Sequence, residues 1–212
     1  KALKLLQDNG WKMNEEEKIL EKKVKNEIQQ LSFSISTSNT LELKKVAEIA
    51  KEEWEKLGAK VEIKIFEAGD LNQNVIRPRK YDALLFGEIV GRDLDLFAFW
   101  HSSQRKDPGL NIALYANSKA DKLLEDARKI ENGSERRGKY RQFEDEVAKD
   151  LPVVFLYSPD FIYVIPEKVN GYSADQIITP TDRFTNINEW FTDTEKVWKI
   201  FAGDRMTEEK KE

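Results

Sequence analysis

The 212-residue sequence contains no cysteine and one histidine, His101. Without cysteine the chain has no disulfide, no thiolate zinc site and no cysteine nucleophile. One histidine also rules out a metal site built from several histidines. We therefore predict a protein that works without a metal or another cofactor.

Long apolar runs and an excess of positive charge are missing as well. The densest apolar stretches, 153–157 and 161–165, have the length of strands, whereas a membrane span needs roughly 18 consecutive apolar residues. The net charge is −4 with lysine and glutamate interleaved, so the chain lacks the basic field that nucleic-acid binding requires. The sequence opens at Lys1 without an initiator methionine or signal-peptide pattern, which we interpret as a truncated or processed start.

The first half of the sequence has the pattern of an α/β protein. The whole chain is 40% hydrophobic and 35% charged, and this composition and length suit one or two globular units. Apolar periodicity predicts a strand at 31–36, a helix from Asn39 to Gly58, a strand at 61–65 and a strand buried on both faces at 81–87. Asn39 with Glu42 resembles a capping box at the start of that helix. The charged run 14–27 is expected to be a solvated turn or a short helix.

The second half begins with two predicted helices, one from Ser118 and one that ends before Pro152. Two short strands, Val153–Tyr157 and Phe161–Ile165, are expected next, joined by a turn at Ser158-Pro159-Asp160. A last helix is predicted within 192–205.

Several segments, in a fixed order, resemble the family 5 solute-binding proteins, the oligopeptide, dipeptide and nickel receptors of ABC importers. The order and spacing of these segments across residues 1–191 make the resemblance specific. The matching segments are Lys4-Leu5-Leu6 to Gly10-Trp11, Leu31 to Ile35, Val46 to Gly58, Tyr81-Asp82-Ala83, Asp93-Leu94-Asp95, Asn111 to Asn117, Asp121 to Leu124, Arg137 with Tyr140, and Asp150 to Tyr157.

The resemblance implies the second lobe of a type II periplasmic-binding-protein fold, a mixed sheet flanked by helices, incomplete at its N-terminus. Residues 1–166 would form the ligand-binding lobe, and 167–212 would return towards a first lobe that this sequence lacks. We expect weak ligand affinity from one lobe, because such sites enclose their ligand between two walls. Apolar surface left open by the absent lobe would favour a dimer.

The implied function is capture of an oligopeptide or similar small solute outside the cytoplasmic membrane and its delivery to a membrane permease, without catalysis. The location would be periplasmic, or extracytoplasmic with a membrane anchor. Three alternatives remain open: an oligosaccharide receptor of the same fold, a stand-alone sensing or interaction lobe, and a hydrolase that uses Asp93, Asp95 or Glu88.

The implied ligand contacts lie in the loop after the buried strand, where open α/β sheets place their ligands. The expected contacts are Gly87, Glu88, Ile89, Val90, Gly91, Asp93 and Trp100. In the peptide receptors a carboxylate in this loop pairs with the ligand's α-amino group, and the resemblance puts Val90 at that place. Valine cannot accept a charge-assisted hydrogen bond, so Glu88 is the nearest replacement.

Each of the remaining polar or aromatic candidates has a structural interpretation beside the functional one. Asp93 and Asp95 fit a turn and helix cap better than a catalytic pair. Trp100 suits either ligand stacking or a core position. His101, next to Ser102 and Ser103, is expected to be structural, because neighbours in sequence do not converge as triad members do.

Overall fold

The structure is a computed structural model and describes residues 1–91, 95–174 and 177–193. The chain divides into two compact units, Lys1–Val154 and Phe155–Glu212. The assignment of 1–166 to a binding lobe and of 167–212 to a return segment stays a prediction. Among the described residues, no helix is both long and apolar enough to span a membrane.

A three-stranded parallel sheet forms the first half of the larger unit, with its strands at the positions that the sequence pattern predicts. Its strands are β4 (Ser32–Ser38), β5 (Lys60–Phe66) and β6 (Ala83–Leu84), with β4 in the centre. The prediction that 81–87 is a strand buried on both faces is wrong: the strand spans only Ala83–Leu84, lies at the edge of the sheet and is partly buried, and Phe86 is exposed. Helix α2 (Leu41–Glu55) connects β4 to β5. A strand–helix–strand crossover between parallel neighbours is the unit from which α/β folds are built. The predicted α/β class is confirmed.

The two faces of β4 differ in the size of their side chains. Phe33 and Ile35 pack with Trp54 of α2, and the Phe33 and Trp54 rings meet edge to face at 5.2 Å. On the other face Ser34, Ser36 and Ser38 are buried. Their short side chains leave room for Leu71 and Val75, which lie in a π-helix (Leu71–Ile76) that follows the short helix α3 (Ala68–Asp70).

The prediction of a turn or short helix at 14–27 holds only for the turns at 15–18 and 25–26, because most of this run belongs to an antiparallel sheet. After helix α1 (Ala2–Asp8), strands β1 (Lys12–Asn14), β2 (Ile19–Val24) and β3 (Glu27–Gln30) form a meander. Leu20 anchors it: its side chain is fully buried and its N–H donates to the Gly58 carbonyl at 2.7 Å. One anchoring leucine among exposed charges gives too weak a period for recognition from sequence.

The second half of the larger unit has a helical core. Helices α5 (Ser118–Lys129) and α6 (Ser134–Asp150) pack together and, with the short helix α4 (Phe97–Trp100), enclose one apolar cluster. Both long helices match the sequence prediction. The buried members are Trp100, Tyr115, Ala120, Leu123, Leu124, Ala127, Tyr140, Phe143 and Val147.

The two main helix starts differ in their capping. Asn117 caps α5 by accepting hydrogen bonds from the N–H groups of Lys119 and Ala120. The predicted cap at Asn39 is wrong: α2 begins one residue later, with Thr40 at the N-cap, and the Asn39 amide donates to the Glu67 carboxylate instead.

The described residues of the smaller unit, 155–174 and 177–193, contain little regular structure. Strands β7 (Val169–Asn170) and β8 (Phe191–Thr192) pair, and the Arg183 guanidinium lies 4.3 Å from the centre of the Phe184 ring. The strands predicted at 153–157 and 161–165 are wrong: neither segment has a ladder partner among the described residues, and most of their large side chains are exposed. An apolar run forms a strand only where a neighbour supplies the hydrogen bonds. The predicted last helix falls mainly on residues outside the described ranges.

Candidate functional site

The loop Gly87–Gly91 leaves the carboxyl end of β6, where open α/β sheets bind their ligands. Gly87 and Gly91 have no other atoms close to the position of a side chain. Ile89 is 69% exposed and Val90 is half-buried. The loop is therefore open to solvent and to a ligand. Asp93, the next predicted contact, lies outside the described residues.

Glu88 is the charged residue of this loop. Its side chain keeps an exposed surface, yet the atoms packed around the carboxylate remove enough water to raise its pKa from 4.5 to about 7. Within the described ranges it has no hydrogen-bond or ion-pair partner. A partly desolvated carboxylate without a counter-charge has a strong affinity for a cation.

Tyr81 lies within the electrostatic range of Glu88. Its hydroxyl donates to the Ile112 carbonyl at 2.5 Å. Burial raises the pKa of this phenol, Arg79 lowers it, and the Glu88 charge raises it again. Glu88 therefore lies close enough to Tyr81 for its charge to affect the pKa of that phenol.

Two polar residues at the same edge of the sheet were missed from sequence. Asn39 follows β4 and Glu67 follows β5, and their side chains are hydrogen-bonded to each other. Because all three strands are parallel, residues that follow their carboxyl ends share one edge. That rule, applied to the predicted strands, was the signal that could have found this pair.

Asp95 has the structural role that the sequence favoured. Its carboxylate accepts the Phe97 N–H at the start of α4 and binds Arg128 of α5 through two nitrogens, at 2.8 and 3.0 Å. The Arg128 guanidinium also lies 4.1 Å from the centre of the Phe97 ring. These contacts of Asp95 and Arg128 fix α4, which follows the ligand loop, to α5.

Trp100 is 8% exposed and lies in the helical core, edge to face with Tyr115 and Phe143. Its burial favours the core role over ligand stacking, since stacking needs an open ring face.

His101 departs from the expectation that its neighbours do not converge. Its Nδ1 lies 2.7 Å from Ser103 Oγ, and its Nε2 lies 3.5 Å from Glu125 Oε1. The same Nδ1 also accepts the Ser103 N–H, which caps a 3₁₀ turn at Ser102–Gln104. A lone pair shared with a backbone amide is a poor general base, so the arrangement is a helix cap. Among the described residues, no cluster of acidic or histidine side chains could hold a metal ion.

No family model matches the chain. The oligopeptide-binding protein AppA of Bacillus subtilis (strain 168) is 31% identical over 193 residues, which is 90% of this chain and 34% of that relative. The chain is similar to one segment of a family 5 solute-binding protein. It spans about a third of the length of this relative, and the predicted resemblance is confirmed.

Solved structures of family 5 proteins superpose on most of the chain. Bacillus subtilis AppA in complex with a nonapeptide matches with a TM-score of 0.72 and 29% identity, covering 91% of this chain and 37% of that structure. NikZ of Campylobacter jejuni in complex with Ni(L-His) gives 0.67 and 25%, covering 89% and 38%. A putative peptide-binding AppA of Clostridium difficile, at 19% identity and a TM-score of 0.67, shares the fold.

Proposed function

We propose that this chain forms one wall of the ligand cleft of a solute-binding protein. The protein would capture a peptide or similar small solute outside the cytoplasmic membrane and deliver it to the permease of an ABC importer. The similarity to an oligopeptide-binding protein supports this role, and so does the open loop at the carboxyl end of the parallel sheet. No catalytic step is required of the chain.

The proposal depends mainly on the environment of the Glu88 carboxylate. A partly desolvated carboxylate in the ligand loop, without a partner among the described residues, suits the α-amino group of a peptide. Val90, at the place where the peptide receptors carry their carboxylate, cannot bind an ammonium group. Glu88 therefore takes over this contact, and it remains close enough to the surface for a ligand to reach it.

The proposal predicts a pH dependence of binding. At pH 7.5 much of Glu88 is ionised, because its pKa is about 7, and most of a peptide α-amino group is still protonated. At pH 5.5 Glu88 is mostly neutral, so a free-amine peptide binds more weakly. A carboxylate of ordinary pKa would give no change across this range.

The test is a titration of the ¹⁵N-labelled chain with trialanine, followed by amide chemical shifts, which detect even millimolar binding. We expect shifts at Gly87 to Gly91, and a loss of affinity of about tenfold in Glu88→Gln, the size of one charge-assisted hydrogen bond. Glu131→Gln, which alters an exposed loop carboxylate, is the matched control and should bind as the unchanged chain does.

N-acetyl-trialanine and a maltooligosaccharide separate the alternatives. If either compound shifts the same amides as strongly as trialanine, Glu88 does not bind an amine. Valine at position 90 then indicates a receptor for blocked peptides or sugars. If no compound shifts the loop, the proposal that this wall binds a small solute is wrong for the chain.

A further inference from the structure

A second polar surface, separate from the ligand loop, lies between two segments of the larger unit. Residues 77–79, which follow the π-helix, and residues 102–107 line an open cleft of about 640 Å³. Four cationic side chains and one carboxylate border it: Arg77, Arg79, Arg105, Lys106 and Asp107. The whole chain has a net charge of −4, so this face is a local reversal of sign.

Arg79 forms the fixed wall of the cleft. Its three guanidinium nitrogens donate to the backbone carbonyls of Ile76, Arg105 and Gly109, at 2.6, 3.0 and 2.6 Å. Its own backbone has a φ of 57°, a conformation that costs a non-glycine residue about 1 kcal/mol. The side chain thus ties the two segments together without using a carboxylate.

Two of the other cations, Arg77 and Arg105, are each held through Nε, and their terminal nitrogens are open. Arg77 Nε donates to Asp107 at 2.9 Å, and Arg105 Nε donates to the Ser102 carbonyl at 3.1 Å. In the part of the chain that the structure describes, no partner contacts their terminal Nη atoms or the Lys106 ammonium group. Anchoring through Nε orients each guanidinium and leaves its donor fork for an external acceptor.

An apolar side chain stands beside these charges. Leu114 lines the same cleft, is 42% exposed and has a φ of 55°. A leucine held in this backbone conformation and turned to solvent gains nothing for the fold. Asn111 holds the backbone next to Leu114 in place. Its side chain donates to the Tyr115 carbonyl and accepts the Tyr115 N–H.

We propose that this basic cleft is a docking surface for an acidic segment of a partner protein, one that presents several carboxylates around an apolar side chain. Guanidinium forks bind carboxylates with two parallel hydrogen bonds. A single exposed ion pair is weak, so the occupant must be multivalent. Leu114 distinguishes a protein segment from a phosphate group, which offers no apolar atoms for it to contact. Arginine beside apolar side chains is typical of protein interfaces.

The test uses a fluorescein-labelled peptide of the repeating pattern Glu-Glu-Leu, nine residues long, in a fluorescence-anisotropy titration at low salt. We expect saturable binding that weakens as salt is added. Charge reversal in Arg105→Glu/Lys106→Glu should lower the affinity about tenfold or more, because attraction becomes repulsion at two positions.

The matched control is Lys12→Glu/Lys23→Glu, which makes the same charge change on exposed residues of β1 and β2. It should change affinity by less than about threefold, as expected for a distant surface charge. An amide spectrum of each variant verifies that the unit is folded. Leu114→Ser, which keeps every charge, should also weaken binding if the apolar contact is used.

Three outcomes would overturn the proposal. Equal loss in the cleft and control variants would show a response to net charge alone. Equal binding of a peptide with glutamine in place of glutamate would remove the carboxylates from the interaction. Stronger binding to phosphatidylglycerol vesicles than to the peptide, lost in the cleft variant, would assign the surface to a phosphate-bearing membrane instead.

Discussion

Replacing Asn111 with alanine removes a fully buried polar side chain that holds two backbone segments together, one at Trp100 and His101 and one at Tyr115. Its Nδ2 donates to the carbonyls of Trp100, His101 and Tyr115 at 3.0 to 3.1 Å, and its Oδ1 accepts the Tyr115 N–H at 3.1 Å. One amide nitrogen has only two hydrogens, so two of its three contacts share one hydrogen.

The free-energy change of Asn111→Ala follows from this geometry. The four contacts amount to three full hydrogen bonds, worth about 1 kcal/mol each, and the Tyr115 N–H left without an acceptor in the interior costs at least about 1 kcal/mol more. We expect the free energy of unfolding of the larger unit to fall by about 4 kcal/mol. Asn132→Ala, an exposed amide between α5 and α6, is the control and should change it by less than about 0.5 kcal/mol.

The assay is urea denaturation followed by circular dichroism, together with hydrogen exchange of the Tyr115 amide. Exchange reports on the local bond directly, because this N–H donates to the side chain that is removed. A loss below about 1 kcal/mol with an unchanged Tyr115 protection factor would refute the reasoning, since it would mean that water or a backbone shift replaces all four bonds.

Two further predictions concern the ligand loop and the packing of the antiparallel sheet. Burial raises the folded-state pKa of Glu88 to about 7, so the fold loses stability as pH rises from 4.5 through 7. Glu88→Gln should therefore raise the free energy of unfolding at pH 8 by roughly 1 kcal/mol, after allowing for the exposure of the side chain, and raise the melting temperature with it. The gain at pH 4.5 should be much smaller. Equal gains at both pH values would contradict this. Gly58→Ala should destabilise by about 1 to 2 kcal/mol, because Gly58 has a φ of 92° and an added Cβ would lie 2.8 Å from Met13 Cε and 3.1 Å from Leu20 Cγ. Gly138→Ala in α6, where the position is open, should be neutral or stabilising in the same thermal melt.

Apolar periodicity predicted those strands and helices that bury one face along their whole length. The alternation of Phe33 and Ile35 with serine marked β4, and the helical stripe that includes Trp54 marked α2. The meander β1–β3 was missed because Leu20 is its single fully buried side chain. The opposite error occurred at 153–165, where composition has the pattern of strands but no described segment supplies the hydrogen bonds.

The position of the ligand loop was predictable, but its chemistry was predictable only in part. A loop after a buried strand, with Glu88 as its carboxylate, follows from the order of elements. The raised pKa of Glu88 comes from its burial in the folded chain, which the local sequence pattern does not specify. The role of Asn111 was hidden for the same reason, because its four bonds join residues that are brought together only by the turn between α4 and α5.

The exposed apolar runs 153–157 and 161–165 have a consequence for the chain before and after it folds. Each run has the length, β-branched and aromatic content, and lack of charge that nucleate cross-β aggregates. Pro152, Pro159 and Pro166 stand before, between and after the two runs. Proline lacks the N–H that a growing fibril needs. These three residues therefore act as gatekeepers that limit the length of the two aggregation-prone segments.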